Sequence, residues 1–379
     1  MIQRAYFVNC PATVGIPVAP LGVLVFLWLC LLACAQESLQ ESLLQAQGTE
    51  YYRQAVEKLG PPSRIVWSEP GDNSLERWKP RSLIEVKAVI VSWDIDKLVV
   101  AKVDGNGPTT FPGDLVVGIE PAWKSPVYEQ TMVLIKQRRL REALQQGQTA
   151  LALSEIPRWQ QRVLVAEMVD AALALQQIGV AGKIFKVLAQ DSAPELLMSR
   201  IPIPWSDELI TVTPAVTQEA LGWIESPIPA MQLLGASWLL GGEHRLAAIE
   251  KLKALAASET VWIAEYSKVQ LWRLSMPEEV ASEKFLVWVG QRDALPIPLQ
   301  AGPTMLLAHR LDQANQPKLA IAEWLRVASL HEDRYHLVQQ ATRRATEIAD
   351  KIGDPKFAES IVKSFSSLKE SSPESLRKD

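Results

Sequence analysis

Cysteine is almost missing from this 379-residue chain, and its three copies, Cys10, Cys30 and Cys34, all fall in the first 34 positions. The rest of the chain therefore has no disulfide framework, no thiol nucleophile and no thiolate metal site. Histidine is scarce too, with four copies. No Gly-x-Ser-x-Gly elbow, phosphate loop or dinucleotide fingerprint occurs, so no cofactor is implied and the common catalytic signatures are absent. Neither sign of charge dominates: 39 Lys and Arg stand against 43 Asp and Glu. That balance argues against nucleic acid, which needs a basic surface to neutralise phosphates. Tryptophan, by contrast, is plentiful at 13 copies. Most sit in apolar helical patterns, where packing explains them.

Leu21 to Cys34 is uncharged for fourteen residues. This suits the apolar core of an export signal, because a spanning helix needs roughly 20 residues. The upstream residues that would lengthen it contain Pro17 and Pro20, which interrupt helix hydrogen bonds. Residues 1–35 are therefore read as a signal peptide or lipoprotein signal. Ala33-Cys34-Ala35 offers a signal-peptidase site. Leu31-Leu32-Ala33-Cys34 resembles a bacterial lipobox, which would make Cys34 a lipidated first residue. An uncleaved anchor is the third reading. In each case the chain is exported to the periplasm or cell envelope, with membrane contact only through this leader or its lipid.

Residues 36–81 read as a tether and irregular linker, since Pro61, Pro62, Pro70 and Pro80 punctuate them. Residues 82–124 change character. Ile84 to Trp93, Lys97 to Val103, Thr109 to Phe111 and Leu115 to Ile119 read as four short strands. Asp104-Gly105-Asn106-Gly107 is a hairpin corner, and the set predicts a small antiparallel barrel or curled sheet. Asp94 and Asp96 read as turn formers.

From residue 125 the pattern is helical and repeats itself. Asn315-Gln316-Pro317-Lys318-Leu319-Ala320 returns as Gly353-Asp354-Pro355-Lys356-Phe357-Ala358, 38 positions later. Ala143 and Ala181 follow turns with the same offset. A shared period marks helical hairpins. Ala308, Leu311, Ala320 and Trp324 have the small-and-large spacing of a tetratricopeptide repeat, and this segment resembles one. Met168, Ala172, Ala181, Phe185 and Leu188, with Pro194 beyond, form a second copy. Ala345, Ala349, Ala358, Val362 and Phe365 form a third. The family period is about 34 residues, and its first-helix Trp and Gly-Tyr signature is missing here. The resemblance implies hairpins at 125–195 and 301–368, flanking a divergent region at 196–300 with Ile-Pro and Pro-Ile-Pro breaks. Residues 369–379 read as a tail. The fold class is thus mainly α: a helical-hairpin solenoid, of tetratricopeptide or HEAT type, behind a small β module.

Few residues suggest chemistry. His331-Glu332-Asp333-Arg334-Tyr335-His336 sets two histidines five apart. At about 100° per residue they cannot share a metal on one regular helix. The string reads as a polar interhelix turn. Glu142, Glu167 and Glu323 read as solvated helix acids, and His244 as a surface residue at a helix start. Lys136 to Arg141 is the densest basic stretch and sits where cations favour a helix C-terminus. The repeat resemblance implies a ligand-facing surface on the first helices, and assigns partner contacts to His309, Asp312, Arg343, Glu347 and Asp350. The functional expectation is a non-enzymatic scaffold for a protein or peptide partner. An envelope glycan or peptide hydrolase and a self-assembling structural subunit are the alternatives. The oligomeric state is left open.

Overall fold

The computed structural model describes residues 47–68, 82–103, 107–153, 156–191, 193–206, 213–280, 284–331 and 334–366. The leader with Cys34, the Asp104 to Asn106 corner and the 369–379 tail lie outside the described residues. What is described is mostly helical, with one five-stranded antiparallel sheet near its start.

Helix α1 (residues 47–59) leads into β1 (Ser63–Ser68), β2 (Leu83–Trp93), β3 (Lys97–Ala101), β4 (Pro108–Pro112) and β5 (Val116–Glu120). The sheet order is β4-β3-β2-β1-β5. Five strands replace the four expected, because Ser63–Ser68 is a strand within the stretch read as irregular linker. Its run Ser-Arg-Ile-Val-Trp-Ser has strand character, and the flanking prolines obscured it. β4 and β5 stand at opposite edges, yet only the single turn Gly113–Leu115 joins them. Three residues reach no more than about 14 Å, so the sheet must curl edge toward edge. Two further facts agree. Trp67 of β1 meets Phe111 of β4 edge-to-face, although two strands lie between them. β2 is bulged near Ile90 and Ser92, and bulges bend strands. At the joining turn, a side chain on Gly113 would come within 2.5 Å of the Ile95 carbonyl, so only glycine fits.

β2 is buried on both faces in its second half, and two different partners do this. Ala88, Ile90 and Trp93 pack on the helical body, while Val89 and Val91 pack against α1 through Ala55 and Val56. The alternating period of a strand makes the two-sided burial possible.

The helical body runs α2 (Pro126–Lys136), α3 (Leu140–Leu151), α4 (Arg158–Ala174), α5 (Ile178–Gln190), α6 (Glu195–Met198), α7 (Pro214–Ile224), α8 (Pro229–Leu239), α9 (Arg245–Leu255), α10 (Val261–Leu271), α11 (Pro277–Glu279), α12 (Phe285–Asp293), α13 (Ala301–Gln313), α14 (Pro317–Leu330), α15 (Tyr335–Lys351) and α16 (Pro355–Ser366). Four of its connections are one device. Arg138, Gln176, Asn315 and Gly353 all hold positive φ, at 63°, 58°, 56° and 81°. They lie 38 apart within each pair. In each turn the next amide bonds the carbonyl five residues back: Arg139 to Leu134, Gln177 to Ala172, Gln316 to Leu311 and Asp354 to Ala349, at 2.9 to 3.1 Å. This is the left-handed helix stop that satisfies orphan carbonyls. Five positions past each left-handed residue stands Ala143, Ala181, Ala320 or Ala358, none more than 3% exposed. There the two antiparallel helices approach closely, and a methyl group is what the gap admits.

α4 is the central helix, with twelve of its 17 side chains buried. Beside it the Ile201 to Pro204 stretch crosses the core in extended form. A buried irregular backbone must satisfy its polar groups, and here every one of the donors has a partner. Pro202 and Pro204 have no N–H, Ile201 donates to Met198 and Ile203 to Ile201. The Pro202 carbonyl accepts from Trp238 Nε1 at 2.8 Å and the Pro204 carbonyl from Gln270 Nε2 at 3.1 Å. Trp205, next in line, lies against Gly302 and packs on both large hydrophobic clusters.

Candidate functional site

The densest polar chemistry lies inside the protein. Asp170, on α4 among the buried Val165, Ala166, Met168, Val169, Ala171 and Ala172, receives hydrogen bonds from Arg200, which follows α6, and from Arg334, which links α14 to α15; the Arg334 Nη2 bond is 3.2 Å. His336 Nε2 stands 3.8 Å from the same carboxylate. Arg334 Nη1 also reaches the Ser199 carbonyl at 3.3 Å, and Glu167 lies 3.6 Å from Arg200. Burial alone would raise the Asp170 carboxyl, but the Arg200 and Arg334 guanidiniums more than reverse this and hold it well below the usual range. Burial, and then the neighbouring Arg334, pushes His331 down to about 3. Burial likewise takes His336 down to about 4, against the opposing pull of Asp170. Both rings are neutral at pH 7.

These residues correct the reading of His331 to His336 as a polar turn. The segment does connect two helices, but His331 and Arg334 are buried. The turn also docks on α4, and sequence spacing cannot show that. A small cavity beside the cluster is lined by Ser199, Arg200, His331 and Arg334 with Val117, Leu196, Ile297, Pro298 and Leu330. Its volume of about 10 Å³ suits one water molecule. It is too small for a substrate, so the cluster is a junction between helices.

Other buried charges also join segments. Arg162 of α4 donates to the Trp93 carbonyl at 2.6 Å, to Asp94 at 3.2 Å, and to the Asp191 side chain and carbonyl at 2.5 and 2.8 Å. It thereby pins the sheet to α4 and the end of α5. Asp94 is more than a turn former for this reason. Glu323 is not the solvated acid expected: it bonds the buried Arg292, and burial raises its carboxyl. Glu142 is exposed and pairs with Arg139. Within the basic stretch, Arg138 hydrogen-bonds Gln339 of α15.

The predicted partner-contact residues divide. His309 is 4% exposed, inside α13, so it cannot meet a partner at the surface. The helix face assigned to ligand is here covered by neighbouring helices. Asp312 is half-buried. Arg343, Glu347 and Asp350 are exposed along one stripe of α15, four and three positions apart, with Arg343 and Glu347 3.7 Å from each other. His244 is at the start of α9, beside Glu243 at 3.4 Å.

The roomier opening is a surface groove of about 600 Å³ between α5 and α7, lined by Lys183, Lys186, Ala215, Gln218, Glu219, Gly222 and Trp223. No family model, curated protein or solved structure matches this chain. The site is therefore weighed on its own geometry. Among the described residues, no three His, Cys, Asp or Glu side chains stand close enough to share a metal ion, and no helix is long and apolar enough to cross a membrane. The junction residues Asp170, Arg200, Arg162 and Asp191 escaped sequence reasoning. The one available signal was an acid among apolar neighbours in α4, which must have a partner if it is buried.

Proposed function

We propose that this chain is a non-enzymatic scaffold of the cell envelope that binds protein or peptide partners, with hairpins that are divergent relatives of the tetratricopeptide repeat. The observation that carries the reading is the turn repeated at Arg138, Gln176, Asn315 and Gly353, each followed by its buried alanine. A unit used four times builds surface by repetition, and stacked helix pairs are suited to many weak contacts with an extended partner. The Asp170 cluster supports the same reading, because it holds helices together and the cavity beside it, at about 10 Å³, has room for no more than a water molecule. On this proposal the exported chain is tethered through Cys34 or released after Ala35, and the intact mass of the mature protein separates the two.

The test is cross-linked capture of partners by the full chain in native envelope extract, with identification by mass spectrometry. A triple Arg343→Ala, Glu347→Ala, Asp350→Ala variant should lose most of that capture. Unchanged capture removes the α15 stripe from the proposal. Recovery of no partner, together with turnover in a broad screen of hydrolase substrates, overturns the scaffold reading itself.

A further inference from the structure

The groove between α5 and α7 has two helical walls. On α5 the wall residues Lys183 and Lys186 are both exposed, and Gly179 one turn earlier stands opposite Glu219. On α7 they are Ala215, Gln218, Glu219 and Gly222, at spacings of three, one and three. That is one face of a helix. Trp223 closes the inner end, with its ring against Gly182, where a side-chain carbon would overlap it. Val180 and Val187 stand exposed on the outer edge of α5, seven positions apart, on the same side as Lys183. The groove thus has an apolar rim and floor and a charged wall.

The wall is unevenly charged. Lys183 is matched by Glu219 at 2.7 Å. Lys186 has no ion-pair partner among the described residues. Among the described residues lining it, the groove therefore presents one surplus positive charge beside apolar surface. Gly222 adds a second indication. Other helical glycines have a packing reason within the chain: Gly147 seats Met168, Gly182 seats Trp223, Gly235 seats the Ile224 backbone and Gly302 seats Trp205. At Gly222 an added carbon meets nothing within 4 Å. Gly290 is equally open but lies away from the groove. A helical glycine costs about 1 kcal/mol against alanine, and no neighbour among the described residues uses the space that Gly222 leaves.

We infer that this groove receives an amphipathic peptide helix of a partner protein, with its apolar ridge over Ala215, Gly222 and Trp223 and its acidic face at Lys186. Two helical walls with low points between them are the complement of a third helix. The surplus lysine selects acidic over basic peptides. The inference names a partner class for the scaffold proposed above and rests on that reading for its biological sense.

The test uses the full mature chain and a fluorescent synthetic helix of roughly 18 residues, about five turns, with Leu on one face and Glu on the other. A counterpart carries Lys in place of Glu. The acidic helix should bind, and the basic one should bind at least about tenfold more weakly. Lys186→Glu should weaken the acidic helix by about tenfold, as should Gly222→Glu, which fills open space with a like charge. Gly222→Ala should weaken the acidic helix too, by less than Gly222→Glu does, and thermal unfolding of each variant verifies its fold. Equal binding of both peptides, no binding of the acidic one, or indifference to Lys186→Glu overturns the inference. If those results come while the chain still captures envelope proteins, the groove assignment fails and the scaffold reading stands.

Discussion

Two of the buried ionic junctions among the described residues are built on opposite plans. At one, the single carboxylate of Asp170 lies between the guanidiniums of Arg200 and Arg334, and all three side chains are shut away from water. At the other, the single guanidinium of Arg162 lies between carboxylates that keep a water-facing side: Asp191 is 26% exposed and Asp94 49%. The first joins α4 to the α14–α15 link, 164 positions away. The second joins α4 to the sheet. The contrast separates two ways of burying charge. An enclosed charge that loses its partner has no solvent to turn to, whereas a half-open one does.

The largest expected effect follows directly. Asp170→Ala removes the carboxylate that two buried guanidiniums share, leaving the more distant Glu167 beside Arg200, and should cost about 3–5 kcal/mol in urea unfolding. Replacing the whole set, Asp170→Leu with Arg200→Met and Arg334→Met, should restore most of that loss, because no buried charge is then left unpaired. A cost under about 1 kcal/mol for Asp170→Ala would show that water reaches the guanidiniums and would erase the contrast.

Acid should strain the first junction and spare the second. His331 and His336 adjoin the Asp170 cluster, with folded values pushed down to about 3 and about 4. In the unfolded chain both titrate near 6.5. As the pH falls below that value, the unfolded state takes up protons that the folded state refuses. Stability therefore drops with falling pH until the folded values are reached, by about 1.4 kcal/mol per pH unit for each ring. Asp170 acts in the same direction lower down. Its contribution is complete above the ordinary carboxylate pKa near 3.9 and is lost as the pH falls through its depressed folded value. Unfolding free energies at pH 7, 6 and 5 should show the slope, and His331→Gln should reduce it by one proton. An unchanged slope would mean that His331 already has access to water.

Arg162→Met tests the half-open plan. The Trp93 carbonyl loses a donor, while Asp191 and Asp94 turn toward solvent, so the cost should be about 1–3 kcal/mol. The damage should also be local. Hydrogen exchange should speed up in β2 and β3 and stay unchanged in α13 to α16. Uniform acceleration would show that the sheet and the helical body unfold as one unit.

The sequence revealed the repeated parts of this architecture more readily than the junctions. Ala320 and Ala358, or Ala143 and Ala181, could be read because a hairpin imposes its spacing locally, over a few turns of helix. Ser63–Ser68 was hidden by the prolines around it, and becomes a strand only when β2 and β5 pair with it. Asp170 could not be matched to partners, since Arg200 is 30 positions away and Arg334 is 164. His309 shows the limit of the resemblance: the spacing placed it on a hairpin helix, but that helix packs against elements before and after it, and His309 is buried. Periodicity records what a residue does within its own element, whereas junctions depend on how distant elements meet.

The smallest effect expected tests the repeated turns, and it bears on the junctions as well. Side chains other than glycine cost roughly 1–2 kcal/mol in the left-handed region, with asparagine the mildest. Gln176→Gly should therefore stabilise the protein by about 0.5–1 kcal/mol, after allowing for the extra freedom of glycine in the unfolded chain. Asn315→Gly should gain less. Gly353→Ala should lose about 1 kcal/mol from the backbone alone, since an added carbon there meets nothing within 4 Å. Arg138→Gly should fall short of Gln176→Gly although its φ is nearly the same, because Arg138 also bonds Gln339 on α15. Melting temperatures of the four variants give the comparison. Equal gains at positions 138 and 176 would show that the Arg138 contact contributes nothing to the join between the early and late hairpins.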